Sequence, residues 1–230
     1  MAIVARIERT GGPEVIQLVD EALPPPGRGE VRLRSTAIGV NFIDTYFRSG
    51  LYPTPLPSGI GSEGAGVIEA LGPGVEGFAV GDRVATYGPG LGAYATERNL
   101  PAASLFRLPA SVDDETAAAV LLKGCTAEFL AERCGKVQPG WTVLVHASAG
   151  GVGQILVRWL KAIGATVIGT AGTEAKAEAA RAAGVARLFA MLESGAVRAE
   201  IGQRYRLADA AEVHRALEAG ETVGATVMLP

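Results

Sequence analysis

Residues 143–172, VLVHASAGGVGQILVRWLKAIGATVIGTAG, limit the fold more than any other stretch of this 230-residue chain. WTVLVHA, from Trp141, is a nearly unbroken apolar run, as a parallel strand buried on both faces requires. VGQILVRWLKAIGA then sets Ile155, Leu156, Trp159, Leu160 and Ile163 on one side of a helix that Gly164 ends. TVIGTAG reads as a second buried strand. Between the first strand and the helix lies Ser148-Ala149-Gly150-Gly151-Val152-Gly153, a variant of the dinucleotide fingerprint in which Ser148 takes the place of the first glycine. Gly150 lets the backbone approach a pyrophosphate whose charge meets the N-terminus of the helix from Val152, and Gly153 lets that helix pack closely on the strand. A carboxylate about 20 residues beyond the turn would hold the ribose 2′-hydroxyl of NAD. Gly169, Thr170, Ala171 and Gly172 stand there instead. Lys176 follows on the next helix, where a cation meets a 2′-phosphate; this favours NADPH, with Glu174 nearby weighing against it.

The first hundred or so residues are different in kind. Short β-rich runs such as VARIERTGGPEVIQLVD and GAGVIEALGPGVEGFAVGDRVATYG alternate with glycine and proline punctuation, a spacing that predicts a small, partly open barrel. LPPP, residues 23–26, is an extended connector, and Gly81-Asp82 is a turn feeding a strand from Arg83. Ser111, followed by Asp113, Asp114 and Glu115, starts a helix with an oxygen cap and acids against the positive end of the dipole. Gly124 is expected to interrupt that run and Gly135 to close it. EAKAEAARAAGV predicts a second, weakly apolar helix. A helix ending near Gly195, a short strand around Ile201, a helix from Asp209 and a last strand ATVMLP complete the chain.

Within AIGVNFIDTYFRSGLYPTPLPSGIGSEGAG, residues Asn41, Asp44, Tyr46, Arg48 and Tyr52 crowd polar and aromatic groups where a barrel needs only turns. Tyrosine and asparagine donors suit the stabilisation of negative charge on an oxygen, and ordinary capping and loop hydrogen bonds would also account for them. Cys125 and Cys134 cannot face each other along one helix and are read as two buried free thiols, with no ligand cluster for a metal. His146 and His214 are taken as structural. A net charge of -3 gives no general attraction to nucleic acid or anionic membrane, and no apolar run reaches the roughly 20 residues of a membrane span. MAIVARIERTGG lacks the apolar core of a signal peptide, so a cytoplasmic protein is expected.

AIGVNFIDTYFRSGLYP, GSEGAGVIEALGPGVEGFAVGDRV, LLKGCTA, ASAGGVGQ, GATVIGTAGTEAKAEAARAAGV and the closing IGQRYRLADAAEVHRALEAGETVGATVMLP together resemble, in order, the NADPH:quinone oxidoreductase (zeta-crystallin-like) branch of the medium-chain dehydrogenase/reductases. The resemblance implies an α/β fold: a GroES-like β-barrel catalytic domain over 1–122, a truncated Rossmann-type segment over 123–199, and a C-terminal return to the catalytic domain over 200–230. It implies hydride transfer from NADPH to a quinone or related enone, without zinc; Asn41 stands where zinc-dependent relatives place a cysteine, and Ser62 replaces the histidine beside Glu63. By the same resemblance Asn41, Tyr46 and Tyr52 line the nicotinamide and quinone site. Lys123 and Thr126 contact the cofactor, Ser148, Gly150, Gly151, Val152 and Gly153 form the pyrophosphate turn, and Gly172 with Lys176 takes the 2′-phosphate. The chain departs from the family between about Val185 and Leu188, where on the order of ninety residues are missing against a doubly wound sheet of about six strands. Impaired turnover is therefore expected, as is a homodimer weakened by loss of its usual edge strand. The competing reading is a non-catalytic remnant or engineered deletion that keeps the GroES-like domain with weak or no cofactor binding.

Overall fold

The computed structural model describes residues 1–88, 90–171 and 200–230. Strand β3, Glu30–Val40, is the axis of its larger sheet. Val31, Leu33, Ser35 and Ala37 alternate inwards, and from Ala37 onwards every residue is buried because the strand is covered on both faces. Antiparallel to it run β5, Glu63–Leu71, and β7, Glu97–Pro101. Beyond β5 lie β6, Arg83–Tyr87, and β8, Leu105–Arg107. A second sheet orders β2, Ile16–Glu21, β1, Ala2–Ile7, and β4, Ser58–Gly59. The Ala5 N–H donates to Tyr94 O at 2.8 Å and the Thr96 N–H to Ile3 O at 2.9 Å, joining the two sheets into the partly open barrel that the turn spacing predicts.

The C-terminal residues return to this barrel. Strand β12, Ala225–Leu229, pairs antiparallel with β3 and parallel with β11, Ile201–Arg206. Ala225 and Val227 pack into the core under the glycine turn, whereas Met228 packs with Val213 of the late helix, so this strand separates two cores.

Three expectations are corrected along the central helices. Helix α2, Asp114–Glu128, is capped by Asp113, whose carboxylate accepts the Thr116 N–H at 2.7 Å; Ser111 is not the cap. The helix also passes through Gly124 without a break and continues as a π-helical turn, Phe129–Cys134, before Gly135. One glycine costs a helix only about 1 kcal/mol, and the buried Leu121 and Ala127 on either side offset it. Cys125 is half-buried and Cys134 is exposed, both as free thiols, so neither is the fully buried thiol expected.

The dinucleotide-like unit is β9, Thr142–Val145, the glycine turn, α3, Gly151–Ile163, and β10, Thr166–Gly169, parallel to β9. Gly164 ends α3 at φ 93°, the left-handed conformation expected of it. Burial of both sheet faces is not observed: Leu144 and Ile168 remain 55% and 54% exposed. Helix α3 covers the face of Val145, and among the described residues nothing equivalent covers the other face. The second helix after β10 and the helix ending near Gly195 lie outside the described residues. Between β11 and β12, helix α4, Ala210–Glu218, buries Val213 and His214 against the barrel. No described helix is long and apolar enough to cross a membrane.

Candidate functional site

The glycine turn is built by local geometry. Ala147 adopts φ 49° after β9, and the Gly150 N–H closes on Ala147 O at 2.9 Å, so the chain reverses straight into α3. Ser148 is buried, and its N–H and its Oγ both donate to Thr170 O, at 3.0 and 2.9 Å, tying the turn to the end of β10. A Cβ on Gly169 would lie 2.6 Å from Ser148 Oγ, so the serine at the fingerprint's first position is matched by a glycine on the neighbouring strand. A Cβ on Gly153 would sit 2.2 Å from Ala147 O and 2.8 Å from Ser148 Cα. Gly153→Ala must therefore push α3 off the turn. The expected cost is about 1–3 kcal/mol, read as a lower urea midpoint at unchanged slope; a midpoint equal to wild type would refute close packing as the reason for this glycine. Gly224 borders the turn through an isolated parallel bridge to Gly150.

Beside the turn sits a buried charged cluster. The Lys123 stem runs along α3's start: a Cβ on Gly151 would meet its Cδ and Cε at 3.0 Å. Its ammonium is 3.4 Å from Glu63 Oε2. Glu63, fully buried, also accepts the Asn41 amide at 2.7 Å and the Leu122 N–H at 2.6 Å. Gly39 makes room for that carboxylate, since a Cβ there would be 2.6 Å from Oε2. Asn41, Glu63, Lys123 and Gly151 thus form one contiguous group contributed by four segments far apart in sequence.

Helix α1, Phe42–Ser49, starts at Asn41, whose N–H donates to Asp44 Oδ2 at 2.9 Å. Asp44 Oδ2 also accepts the Tyr94 hydroxyl at 3.0 Å, and Ser62 Oγ stands 3.5 Å from Oδ1. Burial, partly opposed by the Asn41 and Tyr94 bonds, pushes the Asp44 carboxyl up to about 7. Tyr94 Oη is 3.2 Å from His214 Nε2, and His214 Nδ1 is 3.2 Å from Arg48 Nη1. Arg48 forms a two-pronged ion pair with Glu218, at 2.6 and 3.1 Å. Burial, with Arg48 adding to it, lowers the His214 imidazole to about 4. His214 is therefore neutral, a buried link between helices α1 and α4.

Tyr46 and Tyr52 pack ring against ring at 5.4 Å, and Tyr52 also meets Phe47 at 5.6 Å. A pocket of about 590 Å³ is lined by Ile43, Phe47, Ser62, Tyr87, Leu91 and Leu122, among others. Asn41, Tyr46 and Tyr52 are not among its lining residues; Phe47, which touches Tyr52, and Ser62, the chain neighbour of Glu63, are. Thr126 donates its hydroxyl to Leu122 O at 2.7 Å and lines a smaller adjoining hollow with Tyr87 and Cys125. Val152 is half-buried in the first turn of α3. His146 is exposed at the end of β9, 3.3 Å from Thr170 Oγ1. Gly172 and Lys176, expected at a 2′-phosphate, lie outside the described residues. No group of three metal-ligating side chains occurs among the described residues.

The turn fits a dinucleotide phosphate: an exposed Gly150 at the head of α3, a glycine-tight approach of helix to strand, and no acid at the end of β10. Residues 27–110 match the family model of the alcohol dehydrogenase GroES-like domain, and residues 118–228 that of zinc-binding dehydrogenases. The chain is 52% identical over 172 residues to the quinone oxidoreductase of Pseudomonas aeruginosa, an alignment covering 74% of this chain and 53% of that protein. It is 49% identical over 191 residues to a 2-haloacrylate reductase of a Burkholderia species, covering 80% of this chain and 57% of that protein. The chain thus spans little more than half the length of the curated relatives it matches. Its fold superposes on the crystal structure of the Escherichia coli quinone oxidoreductase complexed with NADPH with a TM-score of 0.93, at 30% identity, covering 99% of this chain and 100% of that one.

Proposed function

This chain belongs to the quinone oxidoreductase family of the medium-chain dehydrogenase/reductases, and from that premise we propose that it binds NADPH and reduces a small quinone or related enone. The observation that carries this reading is the juxtaposition of a phosphate-fitting glycine turn, the Lys123–Glu63–Asn41 cluster and a pocket walled by their chain neighbours. NADPH, when bound, supplies the hydride. In this reading Ser148, Gly150, Gly151, Val152 and Gly153 receive the pyrophosphate, Lys123 and Thr126 border the cofactor, and Gly172 with Lys176 takes the 2′-phosphate. Asn41, Tyr46 and Tyr52 surround the nicotinamide and the acceptor, the phenols donating to the oxygen that gains charge. Glu63 holds the Asn41 amide and the Lys123 ammonium in fixed positions, which is the orientation that hydride transfer needs.

A zinc-free site belongs to the same proposal, supported by the use of the Glu63 carboxylate as acceptor for an amide, an ammonium and a backbone N–H. So do the division at 1–122, 123–199 and 200–230, a cytoplasmic setting, supported by two unpaired cysteines, and a weakened homodimer, supported by the exposed Trp141, Leu144 and Ile168.

Fluorescence titration with NADPH, followed by NADPH oxidation with benzoquinone or phenanthrenequinone, tests the reading. Saturable binding with quinone-dependent turnover is expected. Binding without turnover for quinones or enones would refute the reductase assignment, and no binding at millimolar NADPH would leave the non-catalytic remnant as the answer.

A further inference from the structure

Quinone reduction needs one proton besides the hydride, because two electrons and one hydrogen arriving on a quinone leave an oxyanion. Thr54, Ser58, Ser62 and Tyr87 bring hydroxyls to the described pocket, and of these Ser62 is the one whose Oγ stands against a buried carboxyl. Ser62 is on its wall, and behind Ser62 lies the fully buried Asp44.

The hydrogen bonds behind Asp44 have a fixed direction. The Arg48 guanidinium can only donate, so His214 Nδ1 facing it must accept. The neutral imidazole therefore carries its hydrogen on Nε2 and donates it to Tyr94 Oη. Tyr94 in turn directs its own hydrogen to Asp44 Oδ2. That oxygen also receives the Asn41 N–H, so with two donors in place it is the poorer seat for a proton. A proton on Asp44 accordingly resides on Oδ1, the oxygen facing Ser62 Oγ. The arrangement aims an acidic hydrogen at the pocket.

We propose that Asp44 is the proton reservoir of the reaction and that Ser62 hands its proton to the reduced acceptor. This rests on the reductase reading above. In the step, the Ser62 O–H bond breaks as a new O–H bond forms on the acceptor oxyanion, the Asp44 Oδ1 hydrogen moves to Ser62 Oγ, and Asp44 is left as a carboxylate. Water entering the emptied pocket restores the proton through the same serine. Arg48, His214 and Tyr94 act as positioning residues; they set which oxygen of Asp44 is free.

The groups facing Asp44 from each packed element are the Asn41 N–H, Tyr94, Ser62, the Lys123 ammonium and the Glu63 carboxylate, with His214 and the Arg48–Glu218 pair behind Tyr94. Lys123 favours the carboxylate and Glu63 opposes it, while burial dominates and keeps the acid protonated up to about pH 7. Turnover that needs this proton must fall as the pH rises beyond that value.

Two measurements test the assignment. Infrared difference spectra over a pH titration should show a buried carboxylic acid band that disappears near pH 7, is absent in Asp44→Asn and shifts in Ser62→Ala as Oδ1–H loses its acceptor. No such band, or one unmoved in Ser62→Ala, overturns the inference without reference to turnover. In quinone assays, Asp44→Asn and Ser62→Ala should each lower kcat about a hundredfold, abolish its alkaline fall and leave the NADPH dissociation constant near wild type, while Ser62→Thr retains the fall. A wild type that binds NADPH but turns over no acceptor overturns the reductase reading and this inference together. Turnover whose alkaline fall survives in Asp44→Asn overturns this inference alone.

Discussion

Glu63→Ala is expected to lower the stability of the fold by about 3–5 kcal/mol, seen as a large fall in the urea midpoint at neutral pH. The carboxylate is fully buried, and three donors converge on it: the Asn41 amide, the Leu122 N–H and the Lys123 ammonium. Its removal leaves the ammonium buried with no opposite charge and strands two N–H groups, each costing about 1–3 kcal/mol where water does not reach. The Lys123–Glu63 distance of 3.4 Å is long for an ion pair, so the loss comes chiefly from the orphaned partners and less from the attraction itself. That separates two outcomes. Glu63→Ala with Lys123→Met should recover a substantial part of the lost stability, because the second change removes the orphaned charge; NADPH binding should not recover with it. A Glu63→Ala protein within 1 kcal/mol of wild type, by the same urea series, would show that Lys123 finds another partner or reaches solvent, and the cluster would lose its place in the site.

The parts of this molecule that could be read from sequence are those whose partners are close along the chain. Ser148 to Gly153, the helix behind them and its end at Gly164 lie within one short stretch, and each residue type there answers a local demand: a reversal, a close approach, a left-handed stop. The misread details are local competitions. Asp113 won the cap over Ser111 because its carboxylate lies three residues before the amide it reaches, at Thr116. Gly124 looked like a break because its flanking contacts, made by Leu121 and Ala127 with distant strands, carry no signal in the sequence. The outer faces of β9 and β10 are apolar in a pattern that implies cover, and the pattern does not say whether cover is present.

The buried network was illegible for a different reason. Tyr94 and His214 are 120 residues apart, and Arg48 and Glu218 are 170 apart. His214 reads as a core histidine on a helix and Tyr94 as a strand aromatic; only the barrel's closure against α4 brings them to Asp44. Asp44 itself stood in view among the polar residues after Asn41, where capping was one of two open explanations. The capping explanation holds, since Asp44 closes the helix start through the Asn41 N–H, and its other oxygen stands opposite Ser62. Asn41 likewise reads as a site residue, and its amide is committed to Glu63. The stretch after Ala37 does supply Ile43, Phe47, Thr54, Pro55, Ser58 and Ser62 to the pocket wall, although Asn41, Tyr46 and Tyr52 themselves do not line it; Leu122, Tyr87 and Leu91 carried no signal because they are apolar or aromatic residues of ordinary core type.

Above pH 7, Asp44→Asn is expected to be more stable than wild type by roughly 4 kcal/mol, an advantage that shrinks to nothing as the pH falls towards 4. The asparagine is a fixed copy of the protonated acid: its carbonyl accepts from the Asn41 N–H and Tyr94, and its amide faces Ser62. In the wild type the folded carboxyl holds its proton up to about pH 7, against 3.8 for the ordinary group. Between those values the native state binds the extra proton, so the favourable contribution present below pH 4 is lost as the pH rises to 7. Each unit is worth about 1.4 kcal/mol, which over roughly three units gives the stated difference. His214 has the opposite sign. Its folded imidazole is lowered from 6.5 to about 4, so the unfolded chain binds the proton in that window and stability is gained as the pH rises through it. In wild type the two slopes oppose each other between about pH 4 and 6.5, and stability should be nearly level there before falling towards pH 7. Asp44→Asn removes one slope, so its stability should climb with pH to about 6.5 and then hold. Urea unfolding at unit pH steps distinguishes the two profiles, and parallel curves for the two proteins would mean that Asp44 is ionised in the fold throughout, leaving no proton there for Ser62 to pass on.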